Sequence, residues 1–546
     1  MSGIVKDWSL PAMVTQSPRA QAGAMSLNVT RRLLPFLTRR QPKPLSAPSS
    51  RRNAHAACRL AASIGLAASA LLIPAVPAEA DGSQGQVNVV AVDELVREGL
   101  TASSIPGAAL AITRGDQVLY VRGYGHDSNH VPVTESTLLR IASLSKSFTS
   151  LAVLQLVDAG KVSLDDPVSI HLPEFRPADP RASDVTVKHL LDQTSGLADR
   201  EVPELSRAQP TTLAEATTSL NSAPLVAAPG TQFNYHNPNY HVAARLVEVV
   251  SGESYENYLR AHVFQPAGMP ASLTTTTDDQ PVAGLADGHV LAYGRPIAAP
   301  ALGTFSTGAG DVVSTAGDMA QWLIVHTNGG QAANGARLVS ERSLHKMHTA
   351  SAPSGYALGW DTDGPAAAPT RLVHSGNHLT FSAYQAIIPD TGYGVALLFN
   401  SGSALLPDQT SIFYGVLDIV EGNHSTAGGP QPPTATLDAL LGCLTLAVLL
   451  VGARGVYTSR RWATRHAPSS RARTVLRLIP HLAVLGLVAA FPNLAERLMG
   501  GRDVTWLAAA YGWPALVVFV LVVLVTTAAT VIARAWRLST LRGERS

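Results

Sequence analysis

A serine and a lysine that could act as a catalytic pair lie in the segment Ser143-Leu-Ser-Lys146. At the start of a helix, this spacing places the hydroxyl and the amine on one face, about one turn apart. A lysine that loses its proton there can accept the proton of the serine and create a nucleophile, whereas arginine stays protonated. The chain has 41 lysines plus arginines, and Lys146 is one of only six lysines. The pattern alone does not establish catalysis, because Ser343-Leu-His-Lys346 has the same spacing.

Two later segments could supply the other groups that such a nucleophile needs, a second proton shuttle and a wall for the substrate. Tyr235 and Asn237 lie two residues apart on a turn, so the phenol and the carboxamide could face one cleft. His374 and Gly376 open a segment that leads into the last strands, where glycine would let a substrate approach a strand edge closely. Taken singly, each has a structural explanation: a turn tyrosine, and a histidine bonded within its own loop.

The composition indicates more than one kind of region. A chain of 546 residues is too long for one ordinary domain, and it is 46% hydrophobic but only 15% charged. The apolar residues concentrate near 60–76 and after 436, which favours export or membrane segments. A net charge of +2 does not favour a nucleic-acid partner. Cys58 and Cys443 enclose a segment without cysteine, so that segment has no disulfide and no thiolate metal ligand, and the redox compartment stays open.

Residues 1–80 are predicted to form a basic leader and a signal peptide. A short apolar core at 60–74 follows arginines and precedes Ala78-Glu-Ala80, a pattern typical of signal cleavage. The basic region is unusually long, so translation could start downstream, for example at Met25. An uncleaved N-terminal anchor and twin-arginine export through Arg51-Arg52 are the alternatives.

Residues 81–422 are predicted to be the globular domain. Alternation and turn residues predict strands at 107–113, 117–123, 384–389 and 394–400. Helical patterns cover 89–98, 145–159, 185–191, 241–250, 255–263 and 312–326. Strands at both ends with helices between them predict a sheet built from both ends of the domain, with a helical insertion.

Residues 423–436 read as a linker, and 437–546 as a membrane region with three helices, at about 437–457, 474–495 and 506–533. The loop 454–477 carries seven arginines and no acidic residue, whereas the charges of 493–505 cancel. The positive-inside rule therefore places the first loop in the cytoplasm and the globular domain outside. The alternative is that these helices are buried in a soluble domain.

The order Ser-x-x-Lys, Tyr-x-Asn, His-x-Gly, at intervals of roughly a hundred residues, resembles the class C β-lactamase and penicillin-binding-protein-like serine hydrolases, the β-lactamase-related family. Segments at 160–168, 185–197, 246–255 and 313–320 are also similar to that family. The resemblance covers about residues 90–402, and it leaves Ser343 outside the motif positions. It implies an α/β fold of the α+β type, with a five-stranded antiparallel sheet flanked by helices and a helical lobe.

The resemblance also implies roles for particular residues. Ser143 would be the acylated nucleophile, Lys146 its base and Tyr235 the shuttle that protonates the leaving group. The implied substrate-binding residues are Asn237, His374, Ser375, Gly376 and Asn377. The amides of Ser143 and Asn377 would form the oxyanion hole. No metal or organic cofactor is implied.

Two departures from the family pattern affect these expectations. Gln193 stands where histidine is common, which we interpret as structural. Residues 377–380, Asn-His-Leu-Thr, replace a smaller run and would place bulk beside the acyl site, which disfavours efficient β-lactam hydrolysis.

The function expected from the sequence is a membrane-anchored, extracytoplasmic serine hydrolase that acts on a small ester, amide or D-amino-acid peptide. The alternative is a sensor or scaffold that binds a β-lactam or wall peptide and signals through its C-terminal helices. A transporter subunit is disfavoured, because the apolar segments hold few ionisable residues. The physiological substrate and the oligomeric state do not follow from the sequence.

Overall fold

The structure is a computed structural model, and it describes residues 87–352, 355–364, 369–402, 408–425 and 434–543. The predicted leader and signal peptide, and residues 426–433 of the predicted linker, lie outside these ranges.

The strands alternate between residues that face two different apolar clusters. In the part of the chain that the structure describes, they are β1 (Gly107–Arg114), β2 (Gln117–Gly125), β3 (Leu139–Arg140), β4 (Leu273–Thr274), β5 (Gly288–Ala292), β6 (Arg295–Ala299), β7 (Val312–Ser314), β8 (Asp361–Asp363), β9 (Arg371–Asn377), β10 (Ser382–Ile388), β11 (Tyr393–Phe399) and β12 (Ser401–Gly402).

The main sheet has six antiparallel strands in the order β2-β1-β11-β10-β9-β8. The predicted α+β class is confirmed, as are the first hairpin and the pairing of β10 with β11 around residues 389–392. The expected count of five strands was one too low. Asp361–Asp363 adds a short edge strand beside β9, and three residues are too few to show an alternation in the sequence.

Helices cover both faces of this sheet and form a separate lobe. Those of the globular domain are α1 (Val89–Ser103), α2 (Ser145–Asp158), α3 (Val168–His171), α4 (Val187–Leu191), α5 (Leu213–Thr218), α6 (Pro238–Ser251), α7 (Tyr255–Leu259), α8 (Gln265–Ala267), α9 (Ala316–Thr327), α10 (Glu341–His348) and α11 (Asp408–Val420). A π-helical turn, Arg260–Phe264, joins α7 to α8.

One apolar cluster lies between the sheet and the helices α2, α6 and α9, and the other lies between the sheet and α1 and α11. In β1, Ala109 and Ala111 face the first cluster, and Leu110 and Ile112 face the second. This period of two is what a sheet covered on both faces requires. It fixes the register of the strands, because a slip of one residue would exchange the two faces.

Two small sheets, β12-β5-β6 and β3-β7-β4, connect the main sheet to the helical lobe. The prediction of one helix over 312–326 was wrong at its start. Val312–Ser314 pairs as β7 with β3 and β4, and α9 begins only at Ala316, with Thr315 as its N-cap. The Thr315 hydroxyl accepts from the amide of Asp318, the usual signal for a helix start.

The tail, residues 434–543, contains α12 (Thr434–Tyr457), α13 (Ser459–His466), α14 (Arg471–Ala489), α15 (Phe491–Leu498), α16 (Trp506–Gly512) and α17 (Pro514–Gly543). Three of these, α12, α14 and α17, are long and apolar enough to cross a membrane. The helices α12 and α17 pack closely: a Cβ on Gly452 would lie 2.4 Å from a Thr526 side-chain atom.

Two of the predicted span boundaries were wrong, and proline explains both. The expected span 506–533 is divided at Trp513, because Pro514 lacks an amide hydrogen and restricts the residue before it. The expected span 474–495 ends at Ala489, and Pro492 lies in the first turn of the separate helix α15.

Asp438, fully buried near the start of α12, ties the tail to the globular domain. Its carboxylate accepts from the Tyr293 amide at 2.6 Å, in the turn between β5 and β6. It also accepts from the Trp513 indole N–H at 2.7 Å, next to the start of α17. One side chain therefore joins two apolar helices and a surface hairpin.

Candidate active site

Ser143 lies in a single 3₁₀ turn, Ala142–Leu144, that runs directly into α2. Ala142 before it has φ +49°, a left-handed conformation that strains a residue with a side chain. The Ser145 hydroxyl holds this turn, since it donates to the Ala142 carbonyl at 2.6 Å and accepts from the Val312 amide of β7 at 3.0 Å. The surrounding structure thus fixes an unusual backbone at the predicted nucleophile.

Lys146 lies one turn further along the helix, with its amine next to the Ser143 hydroxyl. Its Nζ is 3.0 Å from Ser143 Oγ, and it donates to the Ala309 carbonyl at 2.7 Å. Both Ser143 and Lys146 have no exposed surface. The carbonyl bond orients the amine toward the hydroxyl, which is the arrangement that proton transfer from serine to lysine needs.

Tyr235 faces the same amine from the loop that precedes α6. The Lys146 Nζ is 4.9 Å from the centre of the Tyr235 ring. Gln193, itself at φ +62°, holds this loop: its side-chain oxygen accepts from the amide of His236 at 3.1 Å and from Asn239 Nδ2 at 2.6 Å. The contacts of Gln193 are therefore those of a structural residue.

Asn237 is directed into the protein at the N-cap position of α6. Its Nδ2 and its backbone amide donate to the carboxylate of Glu204, at 3.0 and 2.8 Å. Next to it, His236 Nδ1 lies 2.6 Å from Asp199 and 3.1 Å from Glu204. The residue expected to bind a substrate amide is thus bonded to a buried charged cluster, which we define as Asp199, Glu204 and His236.

Two members of the charged cluster, Asp199 and His236, retain their protons more strongly than isolated groups would, because the pKa of each is raised. Burial raises the pKa of Asp199, although the Arg502 guanidinium opposes the shift. Burial alone would lower the pKa of His236, but its hydrogen bonds with Asp199 and Glu204 outweigh burial and raise that pKa. These three side chains also present their ligand atoms within 4.8 Å of one another, as a metal site would. The guanidinium of Arg502, 3.2 Å from Asp199, supplies a positive charge at that place.

β9 brings His374 and Gly376 to the nucleophile on one face of the strand. A Cβ on Gly376 would lie 2.8 Å from the Ser143 amide nitrogen and 2.5 Å from the Ile141 carbonyl, so only glycine fits. By the alternation of the strand, Ser375 and Asn377 lie on the opposite face. The close approach places the end of β9 beside the Ser143 amide, where an oxyanion hole would need it.

His374 is a neutral side chain in this setting. Burial and the charge of Lys146 lower its pKa to about 3. Its Nδ1 lies 2.8 Å from the Ser375 carbonyl, which only accepts, so Nδ1 carries the hydrogen. Its Nε2 therefore accepts from the hydroxyl of Tyr356 at 2.9 Å. Tyr356, which also lies edge-on to Tyr235, was not predicted, and no sequence pattern marks it.

The turn after β9 forms one edge of the site. The Asn377 side-chain oxygen accepts from the Leu379 amide at 2.7 Å, and Leu379 has φ +62°. The ring of His378 is held between two partners: Nδ1 pairs with Asp278 at 2.9 Å, and Nε2 lies 2.8 Å from the Gly310 carbonyl. Leu379, the next residue of this turn, is buried in an apolar cluster with residues of the tail.

The tail forms part of the opposite edge through the tail loop, which we define as residues 499–505, between α15 and α16. Arg502 donates to the Tyr235 carbonyl at 2.9 Å, and its guanidinium lies 5.3 Å from the centre of the Tyr235 ring. A cavity of about 930 Å³ opens there, lined by both parts of the chain, including Asp199, Phe233, Tyr235, Glu496, Arg497, Gly500 and Arg502. No sequence pattern marks Arg502 beyond its place in a short loop of balanced charge.

Comparisons with known proteins agree with this architecture. The Beta-lactamase family model matches residues 92–411. Protein flp of Staphylococcus aureus (strain MW2) is 27% identical over 321 residues, which cover 58% of this chain and 64% of that protein. The chain therefore matches a little under two thirds of the length of that relative.

Penicillin-binding protein 4 of Amycolatopsis lactamdurans is 31% identical, over 56% of this chain and 83% of that protein. A solved structure, the octameric penicillin-binding protein homologue from Pyrococcus abyssi, is 28% identical with a TM-score of 0.52, and the match covers 62% of this chain and 78% of that one. The fold, the motif geometry and the matched family model lead to one conclusion: the chain belongs to the Beta-lactamase family of penicillin-binding-protein-like serine hydrolases.

Proposed function

We propose that the protein is a membrane-anchored, extracytoplasmic serine hydrolase that acts through an acyl-enzyme on a small ester, amide or D-amino-acid peptide. The observation that carries the proposal is the 3.0 Å contact between Lys146 Nζ and Ser143 Oγ, with Tyr235 beside the same amine. A buried amine within hydrogen-bond distance of a buried hydroxyl can act as the general base that removes its proton.

In this mechanism, neutral Lys146 accepts the proton of Ser143 as Oγ bonds to the substrate carbonyl carbon. The electron pair displaced onto the carbonyl oxygen is stabilised by the amides of Ser143 and Asn377, a contribution of about 3 kcal/mol per donor in other enzymes. Tyr235 passes a proton to the leaving group as the carbon–oxygen or carbon–nitrogen bond breaks. The proton that Lys146 took from Ser143 then replaces the one that Tyr235 gave up, so both groups return to their starting forms. Water adds to the acyl carbon as Lys146 accepts its proton, and that proton passes to Ser143 Oγ as the carboxylic acid leaves.

His374 contributes a polar but uncharged side chain to one wall of this cleft. Its lowered pKa keeps it neutral, so it would not attract a substrate carboxylate as a lysine would. This favours ester or peptide chemistry over efficient β-lactam hydrolysis. The relative named penicillin-binding protein makes a β-lactam a suitable probe all the same.

The test is covalent labelling of the full-length chain with a fluorophosphonate and with fluorescent penicillin. We expect Ser143→Ala to abolish labelling, and Lys146→Arg to slow it by roughly 10²- to 10⁴-fold, because arginine does not release a proton. The chain supplies matched controls, Ser343→Ala and Lys346→Arg, which have the same spacing on α10. Equal labelling of the wild type and Ser143→Ala would contradict the assignment.

Once labelling at Ser143 is established, a panel of nitrocefin, p-nitrophenyl esters and D-alanyl peptides would separate the substrate classes.

A second function, a sensor of β-lactams or wall peptides, is favoured by the contact between the tail and Tyr235. In a sensor the acyl-enzyme would persist. Intact-mass measurement distinguishes the two: an adduct lasting hours supports sensing, and turnover within minutes supports hydrolysis.

A further inference from the structure

The tail loop contacts both edges of the cleft that holds Ser143. On one edge, Arg502 bonds to the backbone of Tyr235 and lies against its ring. On the other, Leu379, two residues after the end of β9, is buried in one apolar cluster with Met499 and Val504. A loop that only connected two membrane helices would have no reason to contact the two edges of a catalytic cleft.

The tail loop is fixed by hydrogen bonds as well as by apolar contact. The Asp503 carboxylate accepts from the amides of Leu205 and Ser206, at 2.6 and 2.8 Å, and from the Ser206 hydroxyl at 3.0 Å. The Asp503 amide in turn donates to Asp199 at 3.3 Å. Arg502 is 9% exposed, so its position is set by the protein and not by solvent.

Charge gives Arg502 a particular place in this arrangement. The charged cluster holds two carboxylates, Asp199 and Glu204, both nearly fully buried, and His236 contacts both. Arg502 lies 3.2 Å from Asp199 and so brings a second positive charge to the cluster. Burying a carboxylate without a partner is costly, so a folded cluster of this kind favours the docked tail loop.

Tyr235 links the charged cluster to the chemistry. It immediately precedes His236, its carbonyl accepts from Arg502, and the centre of its ring lies 5.3 Å from the guanidinium and 4.9 Å from the Lys146 amine. The position of the phenol thus depends on a residue more than 260 positions later in the chain, beyond two apolar helices.

We propose that the tail loop is a structural part of the active site, and that Arg502 is a positioning residue that holds Tyr235 for proton transfer to the leaving group. The inference rests on the proposed role of Tyr235. It gives the tail a function in catalysis in addition to anchoring.

The test uses the dependence of the rate on the leaving group. Tyr235 must protonate an alkoxide leaving group, whereas p-nitrophenolate departs with little help. We expect Arg502→Gln in the full-length protein to lower kcat/KM for ethyl butyrate by roughly 10- to 100-fold. The kcat/KM for p-nitrophenyl butyrate should fall by less than about threefold, and Arg502→Lys should recover part of the ethyl ester activity.

Fluorophosphonate titration gives the concentration of active sites, so misfolded protein does not lower the measured constants. The control is Arg473→Gln, an exposed arginine of α14 at the far end of the tail, which should match the wild type for both esters. Equal loss for the two esters, or no loss for either, would overturn the role of Arg502. Absence of labelling in the wild type would instead overturn the proposed serine chemistry.

Discussion

At the scale of single residues, the cleft is unusual for the number of ionisable groups that it buries. Lys146, Ser143 and Asp311 have no exposed surface, and Asp361, a second carboxyl group that interacts with the charge of Lys146, is partly buried. Burial raises the pKa of Asp311 to about 8 and that of Asp361 to about 7. Asp311 is therefore largely uncharged at neutral pH, and Asp361 is about half ionised.

Asp311 makes the stability of the protein depend on pH. Its folded pKa of about 8 lies above the ordinary aspartate pKa of 3.8, so the folded state binds this proton more tightly. Its contribution is fully present below about pH 4 and is lost as the pH rises through about 8, with a slope of at most about 1.4 kcal/mol per pH unit. Thermal unfolding between pH 5 and 9 should show a shallower decline for Asp311→Asn than for the wild type.

The matched variant for this experiment is Asp116→Asn, in the exposed turn between β1 and β2. It should follow the wild-type curve. Parallel curves for the wild type and Asp311→Asn would show that Asp311 does not hold its proton in the folded protein.

At the scale of elements, the site is assembled where three strained turns meet. Ala142 before α2, Gln193 under the Tyr235 loop and Leu379 after β9 all adopt positive φ without being glycine. Each costs of the order of 1–3 kcal/mol, and each is held by hydrogen bonds or packing from another element. The close approach of β9 to the Ser143 turn completes the arrangement.

We expect Gly376→Ala to separate β9 from the nucleophile. The added Cβ would overlap the Ile141 carbonyl and the Ser143 amide, which are backbone atoms and can give way only if the strand moves. Fluorophosphonate labelling should fall by roughly 100-fold, because a shift of about 1 Å has that effect on an oriented reaction. Gly317→Ala, in α9, meets no atom closer than 3.5 Å and should label normally. Normal labelling of Gly376→Ala would show that the approach is not required.

The sequence predicted the elements better than their contacts. The spacing of Ser143 and Lys146 and the hairpin β1–β2 follow from local periodicity, which one segment carries by itself. The sixth strand and the start of α9 at Ala316 depend on partners far along the chain. The hydrogen bond from Tyr356 to His374 and the contact of Arg502 with Tyr235 join residues that no short pattern connects.

At the scale of the whole molecule, the globular domain and the loop between the second and third apolar helices are on the same side of those helices. This agrees with the arginine-rich segment 454–477, which the positive-inside rule places at the opposite, cytoplasmic side. The contact is consistent with three crossings, and the charge distribution is the observation from which we propose the orientation.

The orientation has a direct test in cells. Protease added outside intact cells should digest the globular domain and spare α12, α14 and α17, and an epitope tag at the C terminus should remain protected. Permeabilised cells are the control, in which the tag should also be lost. Protection of the globular domain in intact cells would place it in the cytoplasm and overturn the proposed location.

In the membrane-anchored protein that we propose, Asp438 would also fix the distance of the globular domain from the bilayer. It lies four residues after the start of that helix, or about 6 Å along its axis, and it is bonded to the β5–β6 turn. The cleft would therefore lie at a fixed distance from the membrane surface, whatever the length of the linker before α12. The protein would therefore select substrates by their distance from the membrane. It would cleave a bond close to the lipid head groups, and it would not reach the same bond in a substrate that holds it farther from the membrane.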